Sequence, residues 1–318
     1  MAIPSNPHEA SPKIGVLLTG GRKSLGGRGL SVRPVTFRSV GRAIGLDVRV
    51  ADGHLYVRSL LPRPMWSWRL SSGSSFCRAV VQSGLLTRRQ MVRAALRYRL
   101  GRSKDDAVIY WQIDQLGQVH DGKLMWYGPD CHRLKHRQAT WVMYLMKQHL
   151  GIPQDAFLTS HCLFGSHLLR DDGRGKMLDG RCKMLDGKGV AIVEAEKSAV
   201  ILSEIYPQYI WLAAGGMFEL QASKFLPLRH HRVILFPDTD PEGRAFRVWY
   251  DAAQQVMRSF FWPRDNPIRV SPILELHATQ EQKLRKIDLV DFLFEASKPS
   301  GFSVNSPLLQ PQFKSDSV

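Results

Sequence analysis

GVAIVEAEKSAV at 189–200 and RVILFPDTDPEG at 232–243 are the two stretches on which the reading of this chain turns. Each is an apolar run of strand length that stops in acid: Glu194 after Ala191-Ile192-Val193, and Asp238 and Asp240 after Val233-Ile234-Leu235-Phe236. Runs that are apolar at every position suit strands covered on both faces, as in a parallel sheet between helices. Open sheets of that kind gather ligands at the carboxyl ends of their strands. Three carboxylates brought together there repel one another unless a cation or a proton shares the site. The pattern therefore points to a metal site, against a plainer alternative in which each acid caps the helix that follows it.

Working outward, strands are expected at 189–193, 209–213, 232–236 and about 268–274, alternating with helices near 196–205, 217–226, 243–260 and 284–295. That alternation predicts a mostly parallel sheet with right-handed crossovers. Upstream, Met91, Ala94, Ala95 and Tyr98 fall on one face of a helix expected over 79–100. A hairpin follows, with strands over 107–113 and 119–127 around a turn that contains Gly117, and then a helix over 138–150. Further short strands are expected around 14–18 and 46–50, and the repeated KMLDG at 176–180 and 183–187 reads as a duplicated surface loop. The expectation is an α/β chain in four parts: a basic, loosely ordered N-terminal arm over 1–75, a smaller α+β region over 76–188, the parallel-sheet domain over 189–296, and a disordered Ser/Pro-rich tail over 297–318.

The charge of the chain is lopsided. Its net charge of +16 comes almost wholly from residues 1–100, which hold 17 Lys/Arg against 3 Asp/Glu, while the remaining 218 residues hold 27 against 25. A basic third attached to a near-neutral domain with an acidic site suits a protein that handles a polyanion, because basic side chains gain affinity by releasing phosphate counterions. A basic leader with no specific partner gives the same count. No apolar run reaches the length of a membrane span, and residues 1–15 lack the blocks of a signal peptide. The four cysteines contain no C-x-x-C pair, so a reducing, cytoplasmic setting is expected. TGGRKSLGGRG at 19–29 fails as a phosphate loop, since Gly27 and Arg28 stand where Lys and Ser/Thr are required.

The order of Glu194, the glycine turn in Trp211-Leu212-Ala213-Ala214-Gly215-Gly216, and Asp238-Thr239-Asp240 followed by Gly243 resembles the Toprim domain shared by topoisomerases, bacterial primases and some nucleases. DTDPEGRAF is similar to the acidic turn and helix start of bacterial primases. Residues 90–295 more closely resemble a bacterial family of Toprim proteins linked to mobile elements, through YWQIDQLGQVHDGKLMWY, HCLFGSHLL, VEAEKSAV, WLAAGG, FPDTD and IDLVDFL. The resemblance implies a Toprim-like fold, Glu194 as acid–base residue or further metal ligand, and Asp238 and Asp240 as ligands of Mg²⁺, with Mn²⁺ as a substitute. It also implies a late acid, Asp288, near the metal, although Asp288 and Asp291 suit a helix cap equally well.

Around that site Lys197, Arg244 and Arg247 are candidate phosphate contacts, with solvated surface cations as the bland alternative. Gly215, Gly216 and Gly243 are expected to serve backbone geometry. No zinc is expected. Members of the resembling family often begin with a zinc-ribbon-like segment that this sequence lacks, and the Cys131-His132 and His161-Cys162 pairs suit core packing better than tetrahedral ligation. The implied activity is primase-like nucleotidyl transfer in DNA replication, with single-stranded DNA and a helicase or mobilisation protein as partners and no membrane. A Toprim nuclease and a non-catalytic nucleic-acid-binding accessory protein stay open as alternatives.

Overall fold

The computed structural model describes residues 46–51, 54–59, 61, 70–154, 159–169 and 188–296. The strand expected at 14–18, the glycine-rich loop after it, the KMLDG repeat and the tail over 297–318 lie outside those residues. Among the described residues the fold is mixed α/β with three sheets. Strands β1 (Leu46–Ala51) and β2 (His54–Ser59) form an antiparallel hairpin. Helices α1 (Ser75–Gln82) and α2 (Arg88–Arg97) precede a four-stranded antiparallel sheet of β3 (Gly101–Arg102), β4 (Val108–Ile113), β5 (Val119–Met125) and β6 (Thr140–Trp141), followed by α3 (Val142–His149).

A second four-stranded sheet, parallel throughout, has the spatial order β10-β9-β7-β8, in which β7 is Gly189–Val193, β8 Tyr209–Ala213, β9 Val233–Phe236 and β10 Arg269–Val270. Its helices are α4 (Glu196–Ile205) after β7, α5 (Arg244–Arg258) after β9, and α6 (Ile273–His277), α7 (Gln280–Arg285) and α8 (Leu289–Ala296) after β10.

The apolar runs behave as their composition requires. In β7, Ala191 and Val193 join the core formed with α1, α2 and α4, while Val190 and Ile192 join the core on the other face with α5. All five residues of β7 are buried. Strand β4 is likewise buried along its whole length, with Val108 and Tyr110 in the first core and Ile109, Trp111 and Ile113 in a third, under α3. Helices α1, α2 and α4 thus lie in a layer shared by the two large sheets. Tyr98 ties that layer to the parallel sheet, its hydroxyl donating to the Trp211 carbonyl at 2.7 Å, and α2 grips α4 where Arg93 and Arg97 pair with Glu204.

Several expected elements differ. The helix expected over 79–100 is two helices, because Gly84 takes a φ of 74° and Thr87 with Gln90 forms a capping box that starts α2 anew. The helix expected over 217–226 is a 3₁₀ helix at Ala222–Leu228 with Pro227 inside it, a residue that cannot supply the hydrogen bond of a continuing α-helix. The last strand shrinks to two residues. The helix expected over 284–295 divides at Lys286, which takes a φ of 56°, leaving α7 before it and α8 after.

Candidate metal and nucleic-acid site

Strands β7 and β9 are paired in parallel with Val193 opposite Phe236, so the residues that follow them leave the sheet side by side. Glu194 emerges directly from β7, and Asp238 stands one residue past Pro237 after β9. The loop after β8 closes the other flank: the Ala214 amide donates to the Val193 carbonyl and the Gly215 amide to the Glu194 carbonyl, both at 2.9 Å. Gly215 holds a φ of 92°, which favours glycine, and Gly243 does the same at 63° where α5 begins. Gly216 does not take that conformation. The Met217 amide donates to the Glu194 carboxylate. Ala195 is the N-cap of α4 and the helix has no side-chain cap, so Glu194 is not spent on capping.

Asp288 reaches the same place from the far end of the chain. It caps α8, exchanging hydrogen bonds with Asp291 in which the Asp291 amide donates to Asp288 at 2.9 Å. It also accepts from the Ser198 hydroxyl at 2.8 Å and pairs with Lys197 at 3.1 Å. Lys197 lies 3.6 Å from Asp291 as well. The lysine expected to touch phosphate is therefore the internal counterion of two carboxylates.

Asp240 is employed differently from its neighbour in the Asp-x-Asp pair. Its two oxygens accept from the Glu242 amide at 3.0 Å and the Ala245 amide at 2.7 Å, fixing the turn into α5. Arg244 and Arg247 are exposed on the first turn of α5. The Arg244 guanidinium lies over the Phe218 ring, 5.5 Å from its centroid, and Arg247 donates to the Glu242 carbonyl.

The electrostatics separate the acids into two kinds. Burial raises the Asp238 carboxyl well above its ordinary value, and the charges of Asp288 and Glu194 push it further; Lys197 only partly opposes them. Glu194 is raised too, by burial first and then by Asp288 and Glu196, with Lys123 and the Met217 amide working the other way. Asp291 follows the same pattern through burial and Asp288. For Asp288, burial is outweighed by Lys197, the Asp291 amide and Ser198, and the carboxyl is held below its usual range. Asp240 is also held low, since the amides of Ala245, Arg244 and Glu242 outweigh its burial.

The pair that reasoning along the chain missed is Lys123 with Glu196. Lys123 projects from β5 of the antiparallel sheet, and its ammonium meets the buried Glu196 carboxylate at 3.0 and 3.1 Å and the Gly215 carbonyl at 3.0 Å. The partners are 73 residues apart, and nothing in HDGK announces the contact. Its neighbour Gly122 is required by packing, since a Cβ there would come within 2.7 Å of Trp111.

Glu194, Glu196, Asp238, Asp288 and Asp291 thus share Lys123 and Lys197 as counterions. As they stand, no three His, Cys, Asp or Glu side chains among the described residues enclose a metal ion. Cys131 is a buried thiol close enough to Lys197, Asp288 and Asp291 to feel their charges, and Cys162 is half-buried beyond them; each is pushed up to about 12, by burial first.

No helix among the described residues is long and apolar enough to cross a membrane. No curated protein matches the chain. Among solved structures, the primase fragment of the bacteriophage T7 primase-helicase protein is similar at 17% identity and a TM-score of 0.33, over 56% of this chain and 59% of that one. The chain therefore spans less than two thirds of that fragment. A family match begins at the residue that caps α1, runs through the antiparallel sheet and strands β7 to β9 of the parallel one, and ends just past Asp238. Through that match over residues 74–239, the chain belongs to the family described as Domain of unknown function (DUF6371).

Proposed function

We propose that this chain is a Toprim-like protein that acts on nucleic acid with Mg²⁺, by primase-like nucleotidyl transfer. The observation that carries this reading is the surplus of acid at the carboxyl edge of the parallel sheet, where burial with the charges of Asp288 and Glu194 raises the Asp238 carboxyl, and burial with Asp288 and Glu196 raises that of Glu194. Carboxylates arranged so are stabilised by a cation. The donors at this edge are carboxylate oxygens, the set that Mg²⁺ takes while keeping water and phosphate in its remaining positions. Glu194 and Asp238 would hold the ion, with Asp288 beside them and Asp240 securing the turn; Mn²⁺ would substitute. A divalent cation bound there supplies charge neutralisation to a phosphoryl group in transfer.

The chain's own side chains have separable tasks. Glu194, with its carboxyl raised and the Met217 amide favouring its charged form, is suited to hold or accept a proton. Lys197 keeps the buried Asp288 ionised. The basic arm over 1–75 would supply sequence-independent affinity for single-stranded DNA, and a helicase or mobilisation protein is the proposed partner.

The test is an assay of the wild type and Asp238→Asn on single-stranded DNA with Mg²⁺ or Mn²⁺, with labelled nucleotides in one reaction and labelled DNA in another. Metal-dependent extension that the variant loses by about 100-fold or more is the expected result, in line with loss of a positioned charge at a reacting phosphate. Cleavage in place of extension would make the protein a nuclease. Binding without turnover in either protein would leave a non-catalytic accessory role.

A further inference from the structure

The loop after β8 presents a large aromatic ring to solvent beside the acids. Phe218 is 66% exposed, an arrangement that gains nothing from the hydrophobic effect. The backbone around it is nevertheless fixed on both sides. The Met217 amide donates to the Glu194 carboxylate, and the Met217 carbonyl accepts from the indole of the fully buried Trp249 at 3.0 Å. On the other side the Glu219 amide donates to the Gly216 carbonyl at 3.1 Å, Glu219 pairs with Lys224 at 2.8 Å, and Leu220 is buried. A ring on a floppy loop could be exposed by accident; this one is held outward by its neighbours.

What lies around the ring indicates what it meets. Arg244 is stacked over it at 5.5 Å, and Arg247 follows one turn along α5. An aromatic face joined to a guanidinium suits a nucleotide, whose base stacks and whose phosphate pairs with the cation. An apolar protein side chain would use the ring and leave the arginines idle.

We propose that Phe218 is a stacking platform for one nucleobase of a single-stranded nucleic acid, with Arg244 contacting the phosphate attached to it. This rests on the nucleic-acid reading of the adjacent acids and deepens it: the chain passes the site with a base seated on Phe218, one residue beyond the amide that donates to Glu194. The platform reads no sequence, because every base has a stacking face.

The test uses the full chain and two fluorescent single-stranded DNA oligonucleotides of equal length, one ordinary and one abasic at every internal position. Phe218→Ala should weaken binding of the ordinary oligonucleotide roughly tenfold and leave the abasic one unchanged. Phe218→Trp should retain affinity, and its indole fluorescence should be quenched by the ordinary oligonucleotide alone. Unaltered thermal melting is expected of both variants, since the ring is exposed. Equal affinity of wild type and Phe218→Ala for the ordinary oligonucleotide would overturn the platform while leaving the nucleic-acid reading intact. Failure of the wild type to bind either oligonucleotide would overturn both. A base-dependent loss in Phe218→Ala in a protein without metal-dependent turnover would uphold the platform and overturn the enzyme.

Discussion

Glu194 and Asp238 are carboxylates whose surroundings favour the protonated form more than water does, and that has a consequence for stability. Both fold with their carboxyls raised above the ordinary value of about 4. The native state therefore binds more protons than the unfolded chain as pH rises past that value, and stability falls with pH until the raised values are passed. Asp240 and Asp288 act with the opposite sign: their stabilisation is present above the ordinary value and is lost as pH falls through their depressed ones. Asp238→Asn removes the repelled charge without removing volume. The metal-free variant should melt at a higher temperature than the wild type at neutral pH, with the difference closing in acid. Addition of Mg²⁺ should raise the wild-type melting temperature and leave that of the variant unmoved. Thermal melts across pH, with and without the ion, would show this; a variant less stable than the wild type at neutral pH would mean that Asp238 is compensated by something other than a cation.

Elements place these residues through their ends. Strand β7 delivers Glu194 because its apolar run stops there, and α8 delivers Asp288 because its first turn needs a cap. Boundaries set by local chemistry are legible in sequence once the capping residues are read as such. Thr87 with Gln90 shows it: the apolar spacing from Met91 to Tyr98 indicates a helix, but Ser83-Gly84 and the capping box decide that it begins anew at Arg88. Thr87→Ala should cost about 1 kcal/mol in urea unfolding, and Thr87→Ser should recover most of it. An effect within about 0.3 kcal/mol of zero, against that expected cap value, would mean that packing alone sets the start of α2. The 3₁₀ helix at Ala222–Leu228 is the contrary case, where apolar spacing indicates an α-helix over 217–226 and the chain forms a later 3₁₀ helix that carries Pro227.

At the scale of the molecule, the site is a seam between two sheets of opposite kind. Lys123 leaves the antiparallel sheet to neutralise Glu196 at the root of α4, and it lowers the carboxyl of Glu194 from the same position. The Glu196 side chain is 2% exposed and that of Lys123 13%. Breaking such a pair leaves a buried charge uncompensated, so Lys123→Met should cost about 3–5 kcal/mol. Lys123→Met combined with Glu196→Gln should recover much of that loss, as a double-mutant cycle in denaturant would measure. Additive losses in the double variant would show that the two side chains act independently and that the seam is held by apolar packing.

The parallel order of the strands, the exit of Glu194 and Asp238 at one edge, and the lopsided charge follow from residues close together in the chain. Burial on both faces, strand length and helix capping are local constraints, and local constraints are written in local sequence. Tertiary structure alone decided which acids share a charge environment. It brought Asp288 to Asp238 from 50 residues away, gave Lys197 to two carboxylates and drew Lys123 across from another sheet. Those pairings depend on Coulomb interactions between side chains far apart in sequence, whose strength is set by a burial that exists only after the core has formed.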